Sequence, residues 1–393
     1  MAVRHGYGKI AGADALVFAY DTGDTVNSFK GRPTINYGPA DLASWALESA
    51  DVKRIATGNY YKGQPTYNCR TALGSSWIAL NTTISGLRTA AGTGGTVTMS
   101  CMVRNSNSTA YPMYAFIGHD FGSTRTIAAN SDWQKIQWTV NQSNMNNDYV
   151  EFRPYTNTDG VYLEMTMPMV EVNVTNASQF VNGTRSATQG LLDLTGNTSI
   201  DLSNVSFDSN AQMTFDGTDD DIDAGIGTST SLQRTIEMVF KTNTLGYLYP
   251  LACYTRGGGQ SVVTGKRMWL GFQSNKFQMH GWGTSDPSST TTIQTGQYYH
   301  AVYAYDQDTK KHYIWINGVL ENNSTNDQEG FTSWNNSGDH KWFVGGDPDY
   351  ASWTASAGRS LDGEIPIFKV YDRILSSTEV QSNFNHYKSR FGI

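Results

Sequence analysis

The chain has 393 residues, of which 16% are charged and 12% aromatic; it carries 39 glycines and a net charge of −7. That much aromatic material excludes a disordered chain, and the absence of a basic patch argues against a generic nucleic-acid binder. No apolar run nears the roughly 18 residues that a membrane-crossing helix needs, and three cysteines set far apart (Cys69, Cys101, Cys253) predict buried free thiols and no disulfide framework.

The length favours more than one domain, and low charge with abundant Gly, Asn, Ser and Thr suits an all-β protein rich in turns. Residues 1–40 read as an extended N-terminal arm. Gly6, Gly8, Gly12, Gly23, Gly31 and Gly38 punctuate it, and Ala15-Leu16-Val17-Phe18-Ala19-Tyr20 is its one strand candidate. Its start lacks an apolar h-region, so no secretory signal is expected. Residues 41–53 carry a weak helical spacing through Leu42, Trp45, Ala46 and Val52, with Asp41 as N-cap.

Residues 41–175 form the first strand-rich block. Val97, Met99, Cys101 and Val103 alternate with polar residues, the period of a half-buried strand. Further runs follow at 114–118, 136–140 and 150–152, and Val161, Leu163, Met165, Met167 and Met169 make one long alternation. The spacing predicts a β-sandwich or jelly roll. Residues 176–212 keep their apolar residues and read as a structured connector.

A second sandwich is expected over 213–393. Met213-Thr214-Phe215 alternates into the turn pair Asp216-Gly217. Ile236, Met238 and Phe240 alternate, as do Met268, Leu270 and Phe272, and then Phe277 and Met279. Asn317-Gly318 is the strongest hairpin signal in the chain, since a type I′ turn needs positive φ at both positions. Pro366, inside the last predicted strand, cannot donate to a ladder and predicts an edge or a bulge. Ser376 with Glu379 forms a capping box, Leu375 and Val380 a hydrophobic staple, and Val380, Phe384 and Tyr387 share the face of a short C-terminal helix.

The acidic phrase Phe215-Asp216-Gly217-Thr218-Asp219-Asp220-Asp221-Ile222-Asp223-Ala224-Gly225, paired with the close Val370-Tyr371-Asp372-Arg373-Ile374-Leu375-Ser376-Ser377-Thr378-Glu379-Val380, resembles the opening and end of concanavalin A-like (laminin G-like) domains in tailed-phage structural proteins. The first block resembles the carbohydrate-binding-module-like jelly rolls of the same proteins, through the strand at 96–104, Asp132-Trp133-Gln134-Lys135 and Met167-Pro168-Met169-Val170-Glu171. The resemblance implies first and last strands that lie side by side. It also implies a non-enzymatic structural protein on the virion surface, as capsid decoration or a fibre, docked on other virion proteins through its arm and forming homo-oligomers such as trimers. The alternative is an adhesin for host surface glycans; a glycan hydrolase is the third reading. Neither nucleic acid nor membrane is an expected partner.

Asp216, Asp219, Asp221 and Asp347 are candidate calcium ligands, being hard oxygen donors close in sequence, and laminin G-like domains often carry one calcium at a sandwich rim. The preferred reading of the same aspartates is an exposed turn whose charge serves solubility, and no cofactor is required. Trp269, Trp282, Trp334, Trp342 and Trp353 fall near predicted strand ends or loops. Trp282, Trp334, Trp353 and Tyr350 are the candidates for stacking on a glycan or anchoring a partner. Hydrolysis of a glycan needs two carboxyls about 5 to 10 Å apart, whereas Glu364 and Asp372 stand isolated on the final strand. No Gly-x-Ser-x-Gly elbow occurs. The run from Gly257 to Lys266 is one residue too long for a phosphate loop and ends in Arg267. The seven histidines form no His-Glu-x-x-His pair.

Overall fold

The computed structural model describes residues 10–73, 79–118, 120–224, 234–245, 249–256, 268–280, 286–306, 308–324, 340–346 and 360–393. The chain divides into two compact units. One comprises Met1–Pro33, Ser186–Asp208 and Gln212–Ile393; the other is built on Thr34–Arg185. Both are β-sandwiches, and two α-helices, Leu87–Ala91 and Ser377–Phe391, occur among the described residues.

The Thr34–Arg185 unit faces a five-stranded sheet against a six-stranded one. The first runs Ser131–Asn141, Thr96–Asn105, Leu163–Val172, Gln64–Arg70, Lys53–Tyr61 in spatial order. Val97, Met99, Cys101 and Val103 point into the core, as their period of two requires, and meet Met113, Ala115, Ile117, Val150 and Phe152 from the other sheet. Trp45 and Trp138 close on Phe152 with ring centroids 5.0 and 6.1 Å away. Cys69 and Cys101 are buried free thiols.

Two local expectations differ here. Residues 41–53 make only a 3-10 turn, Leu42–Ser44, with Asp41 accepting from the Ala43 N–H. Ala46–Leu47 then pairs in register with Leu80 and Asn81, and the sheet ends the helical spacing. The long methionine strand does not alternate throughout. Met167 takes φ 54°, and the register shifts between Thr166 and Met169. This bulge moves the inward face, so that Leu163 and Met165 precede it in the core and Val170 follows it.

The second unit pairs an eight-stranded sheet with a six-stranded one. The last strand, Asp362–Tyr371, is central to the first sheet. On one side it pairs with Arg234–Thr242. Its other side is shared end to end, by Met213–Asp216 at Phe215↔Gly363 and Asp216↔Asp362, and by Leu16–Asp21 over Ile367 to Tyr371. First and last strands of the acidic-phrase domain thus lie together. The expected docking arm is corrected in the same stroke. Leu16–Asp21 is a strand of this sandwich, and Phe18 and Tyr20 are fully buried in its core. Residues 186–208, expected as connector, belong to the same unit.

Pro366 sits at a bulge, where the ladder shifts between Val239 and Lys241, and its carbonyl accepts from the Thr22 N–H at 2.9 Å. Asn317 and Gly318 take φ 49° and 77°, the turn that the pair predicts. Gly345 (φ 88°) is obligatory, because a Cβ there would lie 2.0 Å from the Phe215 ring. The C-terminal helix carries its capping box, with Ser376 and Glu379 satisfying each other's backbone N–H, and Leu375 and Val380 are buried beneath it.

Candidate functional site

Among the described residues of the second unit, two places bear on a ligand site. The first is the face of the six-stranded sheet that points away from the core. Along Met268–Gln273, Leu270 and Phe272 fill the core, so Trp269 faces the other way. Along Lys276–His280, Phe277 and Met279 fill the core and His280 is on Trp269's side. The register places Trp269 opposite His280 and opposite Cys253, Cys253 opposite Phe343, and Phe343 opposite Asp223. One row therefore crosses the sheet. The Trp269 and His280 rings lie 5.8 Å apart at 35°. Nδ1 of His280 is paired with the Asp286 carboxylate. Trp269 is 3% exposed and Phe343 6%. The row combines buried flat rings with the hydrogen-bonding His280–Asp286 pair at its end.

The second place is the acidic turn. One oxygen each from Asp216, Asp219 and Asp220 lies within 4.8 Å of the others. Asp220 is buried and fixed, accepting from the Ser206 hydroxyl at 3.1 Å and from the Asp216 N–H at 2.7 Å. Burial raises its pKa above the usual aspartate value. Asp216 accepts from the Thr218 N–H at 2.8 Å. Asp221 lies outside the trio and accepts from Asn204 Nδ2 at 2.8 Å; burial pushes its carboxyl up to about 6. The donors are of the hard type that calcium takes. Three carboxylates supply about half of the six to eight oxygens of such a site.

Residues 216–381 match the family model of the concanavalin A-like lectin/glucanases superfamily. This stretch is a concanavalin A-like lectin/glucanase domain. Solved structures that match part of the chain include the carbohydrate-binding module (CBM40) of the Ruminococcus gnavus IT-sialidase bound to alpha2,3 sialyllactose, at 16% identity over 39% of this chain and 84% of that one, TM-score 0.32. Domain 4 of AbnA, an extracellular GH43 arabinanase from Geobacillus stearothermophilus, in complex with arabinotriose, matches at 17% identity over 50% and 92%, TM-score 0.36. A heptameric SAP-like pentraxin from Limulus polyphemus matches at 17% over 43% and 78%, TM-score 0.32. No curated protein sequence matches the chain.

Among the predicted site residues, the concanavalin A-like domain brings Asp216 and Asp219 together, with Asp220 where Asp221 was expected. Trp282, Trp334, Trp353, Tyr350 and Asp347 lie outside the described residues. Trp342, one of the aromatics noted near strand ends, is a core residue with no exposure. Glu364 bonds to Lys241 at 2.5 Å and accepts from the Tyr298 hydroxyl. His280, Asp286 and Phe343 were missed, although the alternation Phe277, Met279 already implies that His280 faces away from the core.

Proposed function

We propose that the protein is a non-enzymatic glycan-binding protein and that the concanavalin A-like domain binds through the Trp269–His280 face. The observation that carries this reading is the His280–Asp286 pair, in which His280 is partly exposed, backed by the buried Trp269 ring on a sheet face turned from the core cluster. Sugar hydroxyls exchange hydrogen bonds with groups such as the His280–Asp286 pair, which the buried Trp269 ring backs. The lectin-like fold and the sugar ligands named for two structural neighbours accord with it. Glu364, the carboxyl considered for hydrolysis on the last strand, is held by Lys241 and Tyr298. Display on a tailed-phage particle, beside other virion proteins and as a trimer, is the setting that the resemblance of the acidic phrase and the capped helix suggests. The acidic turn would then hold a structural calcium.

A glycan array probed with the full chain tests the binding. At least one glycan class should be retained, and His280→Ala, at a partly exposed site, should weaken it about tenfold, which corresponds to about 1.4 kcal/mol. Trp269→Ala should abolish it with the unfolding temperature checked in parallel. A blank array, or binding that both variants leave unchanged, refutes the proposal.

A further inference from the structure

Beneath the C-terminal helix, the outer face of the eight-stranded sheet buries a set of reactive groups that glycan binding does not use. Glu237 and Lys369 stand directly opposite each other on neighbouring strands, and both are fully buried. Asn383, on the helix above them, is 1% exposed. Lys369 Nζ lies 3.5 Å from Glu237 Oε2, and Asn383 Nδ2 donates to the same oxygen at 3.1 Å. The Tyr371 hydroxyl donates to that oxygen too, His300 Nε2 pairs with Oε1 at 2.8 Å, and the Tyr387 hydroxyl partners Lys369 Nζ. Asn383 Oδ1 accepts from the backbone N–H of Ala11 at 2.9 Å. An amine, a carboxamide and a carboxylate shared between them are thus sealed from water.

We propose that Lys369 and Asn383 join their side chains in an intramolecular amide bond, with Glu237 moving the proton between them. Burial lowers the Lys369 pKa, which favours the neutral amine that is the nucleophile. As Nζ attacks Cγ of Asn383 it gives a proton to Glu237, whose carboxyl, despite its burial, is held down to about 2 by Lys369, His300 and Tyr371 and so carries the proton only transiently. The developing negative charge on Oδ1 is met by the Ala11 N–H, a backbone donor already in place. Glu237 then passes its proton to Nδ2, the Cγ–Nδ2 bond breaks, and ammonia leaves. One C–N bond forms and one breaks, nothing is oxidised, and no further reactant is needed. The product ties the helix to the last strand covalently. The signal in the sequence is a charge inside each of two apolar strands, Ile236-Glu237-Met238 and Phe368-Lys369-Val370.

Intact mass spectrometry of the purified, denatured full chain decides it. The chain should weigh about 17 Da less than its sequence, the loss of one ammonia, and a protease digest should yield the Lys369 and Asn383 peptides as one branched species. Glu237→Ala should restore the full mass. A wild-type chain at full sequence mass overturns the proposal, whatever the variants do. So does a loss that maps elsewhere, for instance to Asn317-Gly318, where backbone attack on an asparagine can also release ammonia.

Discussion

Phe18→Ala tests whether the N-terminal strand is part of the concanavalin A-like sandwich or an arm laid on it. Phe18 is fully buried, with its ring 6.2 Å from Tyr20 and 6.1 Å from Phe368. Its strand pairs with the last strand of the domain through Tyr20↔Phe368 and Phe18↔Val370. Truncating a buried phenylalanine removes its transfer free energy and leaves a cavity, together about 3 to 5 kcal/mol. For a unit of this size each kcal/mol shifts the midpoint by about 2 to 4 °C, so the unfolding transition should fall by roughly 6 to 20 °C. Val26→Ala is the control. Val26 is 73% exposed in the same N-terminal segment, and surface changes stay within about 0.5 kcal/mol. Differential scanning calorimetry of the full chain reads both. A Phe18→Ala transition within about 2 °C of wild type would show that residues 16–21 add nothing to the sandwich, and the strand assignment would fail.

Two further outcomes follow from the same unit. Burial, then the neighbouring aspartates Asp223, Asp220 and Asp219, raise Asp221 to about 6 against the hydrogen bond from Asn204. A carboxyl raised in the folded state favours folding while protonated, and that contribution is lost as the pH climbs through about 6. Asp221→Asn should therefore raise the melting temperature at about pH 7.5 and match wild type below about pH 4; a difference independent of pH refutes this. Ser376→Ala breaks the capping box and should cost about 1 kcal/mol. Urea unfolding measures it, and an unchanged midpoint would mean that the helix start is held by Leu375 and Val380 alone.

What the residues determine by themselves is local. Alternation placed the strands of both sandwiches because side chains one apart on a strand face opposite ways. Asn317-Gly318 and the Ser376–Glu379 box were legible because a turn and a helix cap are settled within a few residues. Three-dimensional pairing decided the rest. Leu16–Asp21 looked like an arm because its partner strand, Asp362–Tyr371, is at the other end of the chain. The helical spacing at 41–53 yielded to pairing of Ala46–Leu47 with Leu80 and Asn81, since tertiary context overrides weak propensity. A bulge at Met167 reversed an alternation that reads unbroken in the sequence. Asp220, not Asp221, joined Asp216 and Asp219, because the turn between them sets which carboxylates converge. The meeting of Glu237, Lys369 and Asn383 has no local trace beyond two charges inside apolar strands. Their contact exists only once two neighbouring strands and a helix have closed over the same oxygen.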